Sequence, residues 1–254
     1  SRGLGDVYKR QEFDHVSFAY PEAGENVLTD ISFKAKKGQT IAVIGSTGSG
    51  KSTLINLIPR YYDVTKGSVK VDGVDVRDMT QKELRDKLGY VPQKGVLFSG
   101  TIDSNIRYGK PEITDAQVKE AAEVAQATEF IDTKPEKYES PVSQGGTNVS
   151  GGQKQRLSIA RAIAKDPEIF IFDDSFSALD FKTDSQLRKA LKEYTKDATT
   201  VIVAQRISTI LGADQIIVLD DGHMAGIGTH KELMANCEVY QQIARSQLSE
   251  EELA

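Results

Sequence analysis

The segment "TIAVIGSTGSGKSTLINLI", residues 40–58, joins an apolar run to a helical pattern through three glycines. The run "TIAVIG" has the continuous apolar character of a strand that is buried on both faces of a sheet. After Lys51, "STLINLI" has the spacing of an amphipathic helix. Glycines between strand and helix allow the backbone to bend tightly, with amide donors and Lys51 facing an anion. The segment therefore predicts a strand, an anion-binding loop and a helix.

Other apolar runs have the same character and predict further strands of a mostly parallel sheet. They are "IFIF" (169–172), "TTVIVA" (199–204) and "QIIVL" (215–219). Helical patterns separate them, and a threonine followed three residues later by Glu or Gln predicts helix starts at Thr80, Thr114 and Thr229. This alternation of strands and helices is typical of an α/β fold.

A second pattern of hydrophobic and polar residues lies near the N-terminus of the chain. The stretches "HVSFAY", "ISFKAK" and "GSVKVDGVDV" alternate polar and apolar residues, which predicts a small antiparallel β subdomain, and Asp72-Gly73 predicts a hairpin turn. Helical patterns then dominate, and we expect an inserted helical subdomain at 94–154, with the core at 12–93 and 155–254. The polar, glycine-broken opening "SRGLGDVYKRQ", residues 1–11, is expected to be a non-native leader.

Composition excludes several classes of protein. With 254 residues the chain can bury a core without disulfides, and its 39% hydrophobic and 27% charged content is that of a soluble globular protein. The net charge of -5 gives no electrostatic reason to expect nucleic-acid binding. The single Cys237 rules out an intrachain disulfide and fits a reducing compartment. No stretch approaches the length of an apolar membrane span, so we expect the chain alone to be soluble.

The glycine-rich segment "GSTGSGKST", residues 45–53, lies in the strand-to-helix context that a P-loop requires. Lys51 can reach the β and γ phosphates of a nucleotide, and Ser52 can offer its hydroxyl to Mg²⁺. The predicted nucleotide ligands of this segment are Gly45, Ser46, Thr47, Gly48, Ser49, Gly50, Lys51, Ser52 and Thr53. Asp173 ends the apolar run of "IFIFDD" and is placed to help hold Mg²⁺, as an aspartate does in P-loop proteins.

A third segment, "NVSGGQKQRLSIARA" (148–162), has two interpretations. Its Ser-Gly-Gly-Gln at 150–153 can be a turn and N-cap before a helix. Ser and two glycines at a helix N-terminus can equally form a second phosphate site. Two phosphate sites far apart in sequence suggest one nucleotide shared between two chains.

Through these segments the chain resembles the nucleotide-binding domain of ATP-binding cassette (ABC) transporters over residues 12–254. Walker A is "GSTGSGKST", Walker B is "IFIFDD", the signature is "VSGGQ" and the D-loop is "SALD" (177–180). Gln93 in "YVPQKGVLFSGTI" matches the Q-loop glutamine, and Tyr20 in "FAYP" matches the A-loop aromatic. The phrases "PQKGVLFSGTIDSNI" and "GIGTHKEL" are similar to exporters rather than importers.

The resemblance implies a P-loop NTPase (RecA-like) core and ATP with Mg²⁺ as ligands. It implies that Tyr20 stacks on adenine and that Gln93 contacts Mg²⁺ along with Ser52 and Asp173. Two such domains sandwich two ATP molecules head to tail, and the signature residues contact the nucleotide of the partner: Ser150, Gly151, Gly152 and Gln153. Membrane domains, usually fused N-terminally, couple ATP hydrolysis to transport, which places the domain at the cytoplasmic face of a bacterial plasma membrane.

Two positions depart from the family pattern. Asp174 stands where the family has its general-base glutamate, and Gln205 stands where it has the switch histidine. Aspartate is one methylene shorter, and glutamine carries no positive charge at any pH. Both changes affect the site built on this chain's own Walker A, whereas the signature is intact. Gln144, where many exporters carry an acidic residue, is a smaller departure.

These departures resemble the degenerate half of a heterodimeric, multidrug-type exporter, with a non-identical half-transporter as its partner. A homodimeric exporter with a slow aspartate base is the second hypothesis. A soluble ABC protein that acts on ribosomes or DNA is the third. That class predicts fused cassettes, a coiled-coil insertion or basic surfaces, and the sequence contains none of these.

Overall fold

The computed structural model describes residues 10–253, in which strands and helices alternate along most of the chain. The strands are β1 (Arg10–Phe18), β2 (Leu28–Lys36), β3 (Thr40–Gly45), β4 (Lys66–Val71), β5 (Val74–Asp75), β6 (Leu88–Val91), β7 (Gly100–Thr101), β8 (Pro141–Val142), β9 (Ile169–Asp173), β10 (Thr199–Val203), β11 (Gln215–Asp220) and β12 (His223–Gly228). The α-helices are α1 (Lys51–Asn56), α2 (Gln81–Asp86), α3 (Ile102–Ile106), α4 (Asp115–Val124), α5 (Thr128–Asp132), α6 (Gly151–Ala164), α7 (Phe181–Tyr194), α8 (His230–Asn236), α9 (Glu238–Gln247) and α10 (Glu250–Leu253). Contacts divide the chain into a first unit, up to Leu88 and from Ala198, and a second unit, Gly89–Asp197.

Parallel pairing of buried strands forms the centre of the first unit. There β3 lies between β10 and β11 and is parallel to both, and β12 pairs antiparallel with β11. The side chains of β3 from Ile41 to Ile44 are buried on both faces. The predicted parallel sheet of apolar strands is confirmed. The strands are apolar throughout because burial on both faces leaves no position for a polar side chain.

The antiparallel part of the first unit has the strand order β2-β1-β4-β5. Its hairpin turn is formed by Asp72 and Gly73, with φ values of 53° and 77°, between the paired residues Val71 and Val74. Positive φ at both turn residues is the geometry that Asp-Gly favours. The predicted antiparallel β piece and its hairpin are therefore confirmed. Residues 1–9 of the predicted leader lie outside the described residues, and the last two form the start of β1.

The second unit combines the neighbouring strands β6 and β9 with helices α3–α7. Helix α6 packs against α3 and α4 and buries Leu157, Ile159 and Ile163. The predicted helical subdomain, 94–154, lies within this unit, and its bounds stay a prediction. Its predicted end at residue 154 lies inside α6, which is continuous from Gly151 to Ala164.

Threonine side chains begin three helices, as their spacing predicts. Thr80 and Thr114 form complete capping boxes, in which the Glu or Gln three residues later also accepts from the threonine amide. The third box is only half formed. The Thr229 hydroxyl accepts from the Glu232 amide, but the Glu232 carboxylate accepts from that same hydroxyl rather than from the backbone. None of the helices among residues 10–253 is long and apolar enough to cross a membrane.

Candidate functional site

The glycine-rich loop follows β3 and ends at α1. At its start, a Cβ added to Gly45 would lie 2.4 Å from the carbonyl oxygen of Leu219, so the loop backbone touches β11 directly. At its end, Gly50 has φ +105°, and a side chain there would also meet Leu28 at 2.7 Å. At Gly48, apart from its chain neighbours, no heavy atom lies within 4 Å of an added Cβ. The loop is therefore closely packed at its ends and open at its tip.

Lys51 places a cation over this loop. Its Nζ donates to the carbonyl oxygens of Gly45, at 2.6 Å, and Ser46, at 3.0 Å. Among the described residues, the Ser49 hydroxyl is buried without a hydrogen-bond partner. Buried hydroxyls are nearly always hydrogen-bonded, so this one fits a loop that receives a polar ligand. The loop tip, Ser46 to Gly48, is exposed.

Tyr20 lies beside the helix that follows the loop. Its hydroxyl shares a 2.9 Å hydrogen bond with Thr53 Oγ1 in α1. Its ring contacts Phe18 and Tyr62 edge-to-face, with centroids 4.9 Å and 5.1 Å apart. These contacts hold the ring next to α1, whose first turn also carries the exposed Ser52. The first unit thus brings the A-loop candidate and the Walker A candidate together.

Gln205 reaches the same sheet edge through strand register. Val203 pairs with Val43 in the parallel ladder of β10 and β3, so Gln205 and Gly45 each follow a paired position by two residues. Parallel strands end at a common edge, where α/β folds bind their ligands. The Gln205 side chain is exposed there.

In the second unit, the adjacent aspartates follow the buried strand β9. Asp173 is the last residue of β9, and Asp174 has φ +48°, a left-handed conformation that aspartate tolerates better than most residues. Gln93 Nε2 donates to Asp174 Oδ2 at 3.3 Å. The Q-loop candidate and the candidate base therefore lie in contact, although they are 81 residues apart in sequence.

The signature segment forms the start of α6. Ser150 is the N-cap, and its hydroxyl accepts from the Gln153 amide, while the Gln153 side chain accepts from the Ser150 amide. Gly151 is exposed, and no heavy atom lies within 4 Å of a Cβ added to it, apart from its neighbours in the chain and helix. A Cβ added to Gly152 would lie 3.6 Å from the carbonyl oxygen of Ala178, in the D-loop candidate. The capping interpretation is correct, and the exposed glycine leaves room for a phosphate as well.

Two positioning residues have no signal in the sequence. Ser175, fully buried, donates from its hydroxyl to the carbonyl oxygen of Val91 at 2.7 Å. Gln155, also buried, donates from its side chain to the carbonyl oxygen of Pro92 at 3.0 Å. Together they hold the backbone immediately before Gln93. Both contacts join residues more than 60 positions apart, so no local pattern marks them.

Comparison with known proteins identifies the family that has the loop after β3, the aspartates after β9 and the start of α6. Residues 28–177 match the ABC transporter family. The chain belongs to that family. As an ABC transporter ATP-binding domain it is a member of an ATPase family, and the predicted P-loop NTPase fold class is confirmed.

Several ABC proteins are similar to this chain along most of its length. It is 50% identical over 234 residues to a Mycobacterium bovis ABC transporter ATP-binding protein named as uncharacterized, covering 91% of this chain and 40% of that protein. It is 47% identical over 234 residues to a Staphylococcus aureus protein provisionally named a multidrug export ATP-binding/permease protein, covering 92% and 40%. The structure of a bacterial Atm1-family ABC exporter with ATP bound matches with a TM-score of 0.91 and 38% identity, covering 95% of this chain and 42% of that one. The chain thus spans 40% of the length of these curated relatives.

Loss of the Ser175 hydroxyl should destabilise the second unit. Ser175→Ala leaves the Val91 carbonyl oxygen without this donor in a buried position, which costs about 1–3 kcal/mol. Ser177→Ala, two residues away, removes an exposed hydroxyl and should cost at most about 0.5 kcal/mol. The urea midpoints of the two variants would show the difference. Equal midpoints would mean that the Val91 contact contributes nothing.

Proposed function

We propose that this chain binds ATP with Mg²⁺ and is the ATP-binding part of a bacterial ABC exporter. The observation that carries the proposal is the loop after β3, with its packed glycines, exposed tip and overlying Lys51 ammonium. Amide donors and one cation in a tight bend match the geometry and charge of nucleotide phosphates. Residues Gly45 to Thr53 would bind the phosphates, with Tyr20 stacked on the adenine.

The donor set suits Mg²⁺ as the accompanying ion. Mg²⁺ prefers oxygen ligands and is usually bound through one or two carboxylates together with substrate phosphates. Ser52 offers an exposed hydroxyl, Asp173 a carboxylate at the end of β9, and Gln93 an amide oxygen. When bound, Mg²⁺ would neutralise charge that develops on the phosphates.

The signature segment is proposed to contact the nucleotide of a second subunit. Ser150 and Gly151 are exposed at the N-terminus of α6, a helix of 14 residues. The capping hydroxyl and the first helical amides are suitable donors for a phosphate. In this head-to-tail arrangement the partner is a second half-transporter. Membrane domains would belong to the full-length protein, whose ATP-binding part would lie at the cytoplasmic face of the membrane.

The chain's own site is proposed to hold ATP more than to cleave it. Asp174 carries its carboxylate one methylene closer to the backbone than the family's glutamate, and a displacement of about 1 Å can reduce the rate on the order of a hundredfold. Gln205 can donate a hydrogen bond to a γ-phosphate but brings no positive charge. The intact signature would complete the competent site of a non-identical partner. Multidrug-type export is proposed because a similar Staphylococcus aureus protein is provisionally named for it.

Adenine stacking on Tyr20 can be tested separately from its hydrogen bond. Tyr20→Ala should weaken ATP binding by about 1–3 kcal/mol, the range for base–aromatic stacking. Tyr20→Phe keeps the ring and loses only the bond to Thr53, so its effect should be about 1 kcal/mol or less. A fluorescence titration of each variant with ATP would measure this. Unchanged affinity in Tyr20→Ala would rule out the stacking role.

Restoring the family's residues at positions 174 and 205 should accelerate ATP hydrolysis by the chain alone. We expect the parent chain to be monomeric. Its turnover should be very low, because each closed homodimer would contain two weak sites. Asp174→Glu combined with Gln205→His supplies the longer carboxylate and a titratable ring, and turnover should rise by about tenfold or more. Steady-state ATPase assays over a range of chain concentrations would check this. Adding Lys51→Ala to the restored chain should abolish the gain.

With its partner half-transporter, the chain should show unequal sites. Gly151→Asp has room for its side chain within this chain, so a loss of turnover would arise at the partner's site, where aspartate adds bulk and a negative charge against a phosphate. We expect turnover to collapse in Gly151→Asp and to change little in Asp174→Asn. The measurement is steady-state ATPase of the reconstituted pair. Equal losses in the two variants would show that this chain contains a working catalytic site.

A further inference from the structure

The loop that carries Gln205 is anchored at both ends by buried residues. Ala204 and Ile207 are 2% and 0% exposed, and the Ala204 amide donates to the Val43 carbonyl at 3.3 Å. Gln205 and Arg206 cross the sheet edge between these anchors. Residues 204–207 are called the 204–207 loop below. Its buried ends fix where the loop starts and stops, but they leave the two peptide groups between Gln205 and Ile207 to be oriented by other contacts.

The side chain of Gln247 contacts both of those peptide groups, and the Arg206 carbonyl oxygen in the second group also accepts from the Thr209 amide at 3.2 Å. Gln247 Nε2 donates to the carbonyl oxygen of Gln205 at 2.7 Å, and Gln247 Oε1 accepts from the amide of Ile207 at 2.8 Å. The orientation of the side-chain amide is unambiguous, because a carbonyl needs a donor and an N–H needs an acceptor. A single glutamine therefore holds the peptide groups on both sides of Arg206, the second of them together with the Thr209 amide. The direction in which the Gln205 side chain leaves the backbone at Cβ follows from that arrangement.

The helix that carries Gln247 is fixed relative to the loop. Gln247 is the last residue of α9, and this helix places Tyr240 and Ala244 in the same buried cluster as Ala204 and Ile207. The helix that carries Gln247 and the buried ends of the 204–207 loop thus share one apolar core. Gln247 itself is exposed, so water can replace its hydrogen bonds when it is removed. Its distinctive contribution is therefore orientation of the loop more than stability of the fold.

We infer that Gln247 is a positioning residue that directs Gln205 toward the γ-phosphate of ATP. The inference rests on the proposed function, since it requires a nucleotide at the loop after β3. ADP lacks the γ-phosphate, so a misdirected Gln205 should weaken binding of ATP and leave binding of ADP unchanged. Gln247 would then contribute to the preference of this site for ATP over ADP.

The experiment uses this 254-residue chain with Gln247→Met, which keeps the length of the side chain and removes donor and acceptor. The matched control is Gln242→Met, an exposed glutamine on the same helix that makes no side-chain hydrogen bond to the 204–207 loop. The first measurement is amide hydrogen exchange of Ile207 without nucleotide. Loss of its acceptor should accelerate exchange about two- to tenfold in Gln247→Met and not in the control.

The second measurement is affinity for a non-hydrolysable ATP analogue and for ADP. Gln247→Met should bind the analogue more weakly by about tenfold or more, with ADP affinity unchanged, because one charge-assisted hydrogen bond to the γ-phosphate is lost. Gln205→Ala keeps the backbone carbonyl that Gln247 binds and should show the same loss. The double variant should lose no more than either single variant, since both act through one contact.

Each outcome decides between the possibilities. Unchanged exchange at Ile207 would mean that the hydrogen bonds of Gln247 to the loop do not form in solution, and the inference would be wrong. Faster exchange with an unchanged ratio of the two affinities would make Gln247 a structural residue only, and additive losses in the double variant would do the same. If the parent chain does not bind the ATP analogue, the proposed function fails. A parent that binds the analogue, with no loss in Gln247→Met, overturns this inference alone.

Discussion

Parallel pairing of β3 with strands on both of its sides is the constraint on which the first unit depends. Ladder partners on both edges and apolar neighbours on both faces leave β3 no freedom to shift, because a slip of one residue would turn every side chain to the other face. The loop that leaves β3 is therefore held at one place on the sheet. Gly45 allows β3 and β11 to approach closely at the start of the loop, since any side chain there would collide with β11.

Local patterns in the sequence predict the elements of this fold well. The four apolar runs coincide with β3, β9, β10 and β11 within one residue at each end, and Asp72-Gly73 forms the hairpin turn. Capping boxes predict helix starts because their hydrogen bonds join residues three positions apart. Thr229 shows the limit of the pattern: the same residue types are present, yet the Glu232 carboxylate bonds the hydroxyl instead of the amide.

The polar contacts that shape the candidate site were not predictable in the same way. Gln93 with Asp174, Ser175 with Val91, and Gln247 with the 204–207 loop each join distant parts of the chain. Each is a single side-chain hydrogen bond or pair of bonds, without periodicity or a partner residue type that a sequence could reveal. Motifs indicate which residues face a ligand, whereas the residues that orient them emerge only once the strands are in register.

Asp174 and Gln205 carry different weight as signs of a degenerate site. The left-handed backbone at Asp174 gives a conformational reason for a short acidic residue, because aspartate is enriched there. That reason is independent of catalysis, so Asp174 alone says little about function. Gln205 has no such explanation: its φ is not positive and its side chain is exposed. A buried packing role is also excluded for it. Of the two departures, the glutamine is therefore the stronger support for the proposal that this site would bind a γ-phosphate without the family's charge-bearing residue, and its backbone is the one that a distant side chain contacts.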